Sequence, residues 1–164
     1  MYVPRLQFAA ETRLLLAAGG MLVLGIAVYV FDRSSPAWFL PAWLSVRSGP
    51  PALGPISAAL PAFAHAFGAI LVTAAVLRPW PRLLALNCTA WLAIECLFEV
   101  GQMTPFDARI AATLPEWFRR VPVLDLTGDY FISGTFDYLD ISAICLGTCS
   151  AFLVVKLINR GVER

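Results

Sequence analysis

Charged side chains are scarce in this chain. Lys, Arg, Asp and Glu together make up 14% of the 164 residues, whereas hydrophobic residues make up 59%. Soluble domains are usually about a quarter charged, so this composition argues against a soluble domain and indicates an integral membrane protein. The net charge of +1 provides no broad basic surface, and we therefore do not expect nucleic acid to be a partner.

Motifs for metal binding are also lacking. The chain has one histidine and no CxxC or HExxH pattern, so we predict that no tightly bound structural metal is required. A single histidine cannot provide bis-histidine ligation of haem, and the sequence leaves any cofactor unknown. The cysteines fall in apolar stretches, which predicts inert thiols rather than a disulfide framework: Cys88, Cys96, Cys145 and Cys149.

The chain does contain four long apolar runs. A helix of about 20 residues crosses the ~30 Å hydrocarbon core of a bilayer, and the runs occupy about 14–31, 58–77, 83–101 and 136–158. We predict an all-α fold, an integral membrane four-helix bundle with interfacial loop segments on the outer side. Residues 1–164 then form a single transmembrane domain.

Basic residues flank these spans unevenly. Four spans place both termini on the same side of the membrane. The termini and the turn at 78–82 carry seven basic residues in short segments, while the opposite connections carry five in longer ones. The positive-inside rule therefore predicts cytoplasmic N- and C-termini, and we expect the membrane to be the bacterial cytoplasmic membrane.

Two long connections lie on the predicted outer side. The connection 103–135 carries capping-box patterns at 104–107 and 113–116, each of which predicts a short helix with threonine as its cap. A return loop is predicted at 129–133, between two glycines. The connection 34–57 is rich in aromatic residues that favour the membrane interface: Trp38, Phe39 and Trp43.

Polar residues inside the spans form the candidate site. The third span carries three of them at i, i+4 and i+7, which share one helix face. The single histidine lies in the outer half of the second span, and two aspartates spaced i, i+3 lie in the first turn of the fourth. Ionisable residues within spans usually serve function. We predict that one outer layer brings together a ligand-binding set: His65, Glu95, Glu99, Gln102, Asp137 and Asp140.

Structural roles are the alternative for several of these residues. Asp137 is suited to cap the fourth helix, where an acid meets the positive end of the helix dipole. Gln102 and Asp140 are alternatively solvated interfacial residues, and His65 is alternatively a neutral packing residue.

The glutamates of the third span are harder to explain as structural. Two acids one turn apart repel each other, so inside a membrane they must be protonated, paired or hydrated. We predict that His65 pairs with Glu99 across the second and third helices. Glu95 would then lie deeper, less hydrated and more readily neutral. No catalytic residue is identified.

The segments Glu99-Val-Gly-Gln102 and Asp137-Tyr-Leu-Asp140, followed by Gly147, resemble the motifs of the VanZ-like membrane proteins. The resemblance covers 60–155 and departs from the family at Ile144, where the family has Asn. It implies a small polytopic membrane protein related to a glycopeptide (teicoplanin) resistance protein.

Three functions are compatible with these features. The first is a VanZ-like protein whose acidic and histidine-containing pocket near the outer leaflet binds a polar envelope ligand or a lipid headgroup. The second is a noncatalytic accessory subunit that docks other membrane protein subunits through its aromatic outer loop. The third is a metal-dependent membrane hydrolase, in which carboxylates and one histidine hold a divalent cation that activates water. In each case membrane lipids are the surrounding partner.

Overall fold

Four long helices confirm the predicted all-α membrane fold. The computed structural model describes residues 4–32, 42–44, 50–77, 80–122 and 124–163, and within these ranges there is no strand. Each long helix is long and apolar enough to cross a membrane, so the chain is an integral membrane protein. The helices are α1 (Pro4–Phe31), α2 (Pro55–Val76), α3 (Leu84–Gly101) and α6 (Tyr138–Glu163).

The helices extend beyond the apolar runs that predicted them. α1 begins ten residues before the predicted start at 14, and α2 begins three residues before 58. α6 begins two residues after 136 and continues five residues past 158. An apolar run marks only the part of a helix suited to lipid, whereas backbone hydrogen bonding continues into the polar flanks.

α2 is the central helix of the bundle. Half of its most apolar window is buried inside the protein, compared with 22%, 17% and 33% for the windows of α1, α3 and α6. Its largest interfaces are those with α1 and α6. Small residues allow this close packing: Gly68 faces the Leu22 side chain, and Gly147 lies against the backbone carbonyl of Phe63. Membrane helices commonly associate through such small residues.

A polar network joins α2 to α3. The Thr73 hydroxyl donates to Asn87 Oδ1 at 2.7 Å, and the Asn87 amide donates to the Ile70 carbonyl at 3.1 Å. The Trp91 indole N–H in turn donates to Thr73 Oγ1 at 3.1 Å. Because every polar group here finds a partner within the protein, the network stabilises the α2–α3 contact without exposing polar atoms to lipid.

The connection between α3 and α6 is more ordered than a loop. It contains α4 (Phe106–Thr113), α5 (Thr127–Ser133) and 3-10 turns at Glu116–Arg120 and Leu124–Leu126. Short helical segments therefore do follow both capping-box patterns. The predicted threonine caps are wrong, however, because each segment is preceded directly by a proline and has no side-chain cap.

The predicted return loop at 129–133 is also wrong, because these residues belong to α5. Phe131 is buried, and its ring stacks on Phe98 of α3 with the ring centroids 5.6 Å apart. A Cβ atom placed on Gly101 would meet the same ring. The burial of this aromatic residue against the end of α3 therefore favours a docked helix over a free turn.

Part of the aromatic connection 34–57 lies outside the described residues. Trp38 and Phe39 fall there, so their predicted interfacial position stays a prediction. Trp43, in a short 3-10 turn (Ala42–Leu44), is described and is 79% exposed.

Gly147 should tolerate no side chain. A Cβ atom there would lie 2.7 Å from the Phe63 carbonyl oxygen, which is backbone and cannot swing aside. We expect Gly147→Ala to lower the free energy of unfolding by about 1–3 kcal/mol through overpacking. Gly19→Ala is the matched control, because a Cβ at Gly19 meets nothing within 4 Å. Unfolding in detergent micelles measures both, and equal stability of the two variants would contradict the close α2–α6 contact.

Candidate functional site

His65 and Glu95 form an ion pair between α2 and α3. His65 Nδ1 lies 2.7 Å from Glu95 Oε1, and the side chains are 63% and 13% exposed respectively. The distance is that of a charge-assisted contact. The carboxylate is therefore held within the bundle while the imidazole lies largely on its surface.

The register of the α2–α3 hairpin explains this pairing. Residues 77–83 connect the two helices, so residues equally distant from the centre of this connection lie at the same level. Thr73 and Asn87, which are hydrogen-bonded, are each seven residues from position 80. His65 and Glu95 are each fifteen residues from the same position. The polar network and the ion pair are therefore consistent with a single register of α2 against α3.

The predicted pairing of His65 with Glu99 is wrong for the same reason. Glu99 lies one turn beyond the level of His65, about 6 Å further along the helix at ~1.5 Å per residue. His65 lies ten residues after the start of α2, and its partner Glu95 lies six residues before the end of α3. The predicted place of His65 in the outer half of the span stays a prediction. Because Glu95 is the residue that faces His65, the expectation of an unpaired, neutral Glu95 loses its basis.

Glu99 instead joins α3 to the beginning of α6. Its side chain is 7% exposed, and Oε1 accepts a 2.8 Å hydrogen bond from the backbone N–H of Asp137. This N–H belongs to the residue that precedes α6 and has no partner within the helix. A carboxylate at this position also meets the positive end of the α6 dipole. Burial of Glu99 is thus accounted for by a structural bond.

Asp137 and Asp140 lie at the start of α6, as predicted. Asp137 Oδ1 accepts the backbone N–H of Leu139 at 2.8 Å, which is the hydrogen bond of an N-cap. The structural alternative for Asp137 is therefore present in the fold. Asp140 lies in the first turn and is half-buried.

Gln102 ends α3 and contacts the α5 region. It is the C-terminal cap residue of α3, and its side chain lies against Gly134, where a Cβ atom would collide with it. It also forms a side-chain hydrogen bond with Tyr130. Burial raises the pKa of Tyr130 to about 12, and the negative charge of Glu99 adds to this rise. Tyr130 therefore lies near both carboxylates of α3.

Two polar residues of structural importance were not selected from the sequence. Asp32 follows α1, is 6% exposed, and accepts the backbone N–H groups of Ala52 and Leu53 at 2.6 and 3.1 Å. Asn87 carries the α2–α3 network. The sequence could have indicated Asn87, because an amide side chain inside an apolar run needs a hydrogen-bond partner. Asp32 was distinguished only as an acid at the end of such a run.

The predicted residues thus separate into two groups. His65 and Glu95 form a pair within the spans, while Glu99 and Asp137 form a junction between helix ends. Within the described parts of the chain, no three His, Cys, Asp or Glu side chains are grouped so as to hold a metal ion. A shallow concavity of the bundle lies at its opposite end, beside Trp80 and Asn159.

Comparison with protein-family models, with curated proteins and with solved structures finds no match for this chain.

A double-mutant cycle should distinguish the two glutamates. We expect His65→Ala and Glu95→Gln to be coupled by about 0.6 kcal/mol or more, since each removes the partner of the other. His65→Ala and Glu99→Gln should be additive, because Glu99 bonds to α6 instead. Reversible unfolding in micelles measures all of these variants. Coupling of His65 to Glu99 that equals its coupling to Glu95 would contradict the register.

Proposed function

We propose that this protein is a VanZ-like membrane protein that binds the polar part of an envelope amphiphile at the His65–Glu95 pair. The observation that carries the proposal is the exposure of His65. Its imidazole is 63% exposed within a membrane span, yet it is held in place by a carboxylate that is only 13% exposed. This is the arrangement of a binding group supported from within the protein.

Exposure at this depth is costly unless something covers the imidazole. Ionisable side chains within membrane segments normally face the bundle interior or a partner. Val72 and Val76, seven and eleven residues after His65, lie on the same face of α2 and are also exposed. The face that carries His65 is therefore a lipid-facing face, and an amphiphile in the bilayer can reach it laterally.

The remaining polar residues support this site rather than contact the ligand. Glu99 fixes the start of α6, and Gln102 with Tyr130 fixes α5 over the end of α3. These contacts hold α3, and with it Glu95, in register with His65. The VanZ-like motif that includes Glu99 and Asp137 is thus assigned to the architecture of the site.

Ligand co-extraction tests the proposal. The wild-type protein, extracted gently in a mild detergent, should carry a bound amphiphile detectable by native mass spectrometry. His65→Ala should lose most of it, because the exposed binding group is gone. Gly19→Ala on α1, where a Cβ atom meets nothing within 4 Å, is the control and should retain the ligand. Equal loading of wild type and His65→Ala would refute the proposed site.

The proposed topology has cytoplasmic termini in the bacterial cytoplasmic membrane. It is supported by the seven basic residues of the termini and the 78–82 turn. A cysteine introduced at Glu116, which is exposed in the α3–α6 connection, should react with a membrane-impermeant maleimide added to intact cells. A cysteine at Arg82, exposed in the turn, should react only after lysis. Wild type controls for the native thiols, and the reverse pattern would invert the topology.

An accessory-subunit function is the second candidate. It is favoured by aromatic residues exposed in and beside the α3–α6 connection: Phe106, Trp117 and Tyr138. Exposed aromatic residues are enriched at protein interfaces and at the membrane surface. The native mass spectrum separates the two functions, since a subunit leaves the membrane with another polypeptide rather than with a small ligand.

A further inference from the structure

The protonation chemistry of the His65–Glu95 pair narrows the class of ligand. A net charge in the hydrocarbon layer is strongly unfavourable, so the pair is most stable when it is neutral as a whole. The 2.7 Å contact between His65 Nδ1 and Glu95 Oε1 suits a carboxylate paired with an imidazolium, which is neutral as a whole. In this arrangement both ring nitrogens carry a proton, Nδ1 toward Glu95 and Nε2 away from it. The exposed imidazole therefore presents an N–H donor to the membrane.

The Nε2 group has no competing partner in the described part of the chain. The structure gives His65 one polar contact, through Nδ1 to Glu95. Neither α2 nor α3 contains a Lys or Arg residue. Because Glu95 balances the charge of His65, these helices offer no further positive charge for a phosphate. The complementary ligand atom is an uncharged hydrogen-bond acceptor, and a carbonyl oxygen is the simplest such atom.

The depth of His65 within the membrane narrows the choice among carbonyl compounds. α2 has 22 residues, and His65 lies ten residues after its first residue, which is about 15 Å from that end at ~1.5 Å per residue. Its partner Glu95 lies six residues, about 9 Å, before the end of α3. Both side chains therefore lie below the ends of the helices, within the ~30 Å apolar layer. Lipid headgroups and the ester groups beneath them lie at the edges of this layer. A quinone, whose polar atoms are two carbonyl oxygens on an otherwise apolar molecule, dissolves within it.

We propose that the His65–Glu95 pair binds a membrane-dissolved quinone by donating a hydrogen bond from His65 Nε2 to a quinone carbonyl oxygen. Glu95 is a positioning residue that holds the imidazole through Nδ1. The ligand enters laterally along the exposed face of α2. This proposal rests on the proposed function above and specifies the ligand class of the same site.

Binding of decyl-benzoquinone to the protein in nanodiscs tests this assignment. The nanodiscs consist of ether-linked phospholipids, so the quinone is the only small carbonyl compound present. We expect saturable binding to wild type and about tenfold weaker binding to His65→Ala, the effect of losing one hydrogen bond. Gly19→Ala should bind within about twofold of wild type, and decylbenzene, which has no carbonyl group, should not compete.

Two further measurements keep the test decisive if His65→Ala does not fold. His65→Gln retains an N–H donor and should bind with an affinity between those of wild type and His65→Ala. In wild type, an isotope-edited infrared difference spectrum should show the carbonyl stretch of bound quinone shifted to lower frequency. Absence of this shift, equal binding to His65→Ala, or equal competition by decylbenzene would each overturn the quinone assignment.

Failure of the quinone assignment and failure of the proposed function give different results. Repeating the titration in ester-linked lipid tests whether ester carbonyls occupy the site, and strong competition by them would overturn the preference for a quinone while leaving an amphiphile site. A different co-extracted ligand that still depends on His65 would have the same meaning. Absence of any His65-dependent ligand would remove both proposals.

Discussion

The register of α2 against α3 decides which polar side chains meet in this protein. Only residues 77–83 separate α2 from α3, so residues equally far from position 80 lie at the same level of the two helices. A register shifted by one turn would separate Asn87 from Thr73 and from the Ile70 carbonyl. The Asn87 amide would then lack these partners in an apolar layer, where unsatisfied groups cost several kcal/mol. The same register brings His65 to Glu95.

Polar residues in this bundle therefore have two kinds of role. Asn87 and Glu99 are buried and bonded within the protein, and each ties two helices together. His65 differs because its ring is largely exposed while its partner Glu95 is largely enclosed. Exposure of an imidazole within a membrane span is unfavourable. Unlike the buried hydrogen bonds of Asn87 and Glu99, the contact of His65 with Glu95 leaves the ring exposed and does not offset this cost, so His65 is the best candidate for ligand contact.

The α3–α6 connection contributes to the site indirectly. α5 packs Phe131 onto the end of α3, and the Gln102–Tyr130 bond joins the same two elements. These contacts restrict the end of α3 close to Glu99, whose carboxylate holds the first residue before α6. The ion pair is thus supported by a compact aromatic and polar layer at the end of α3.

Composition and hydropathy were sufficient to predict the membrane class, the number of spans and their places in the chain, because lipid demands long apolar helices whatever their packing. The same reasoning selected His65, Glu95 and Glu99 because ionisable residues are unusual in an apolar span. It did not yield their partners, since a pairing depends on helix register and on which faces meet. It also missed the docking of α5, which depends on Phe131 finding a surface on α3. Those outcomes were decided only in three dimensions, where small residues such as Gly147 set how closely the helices approach.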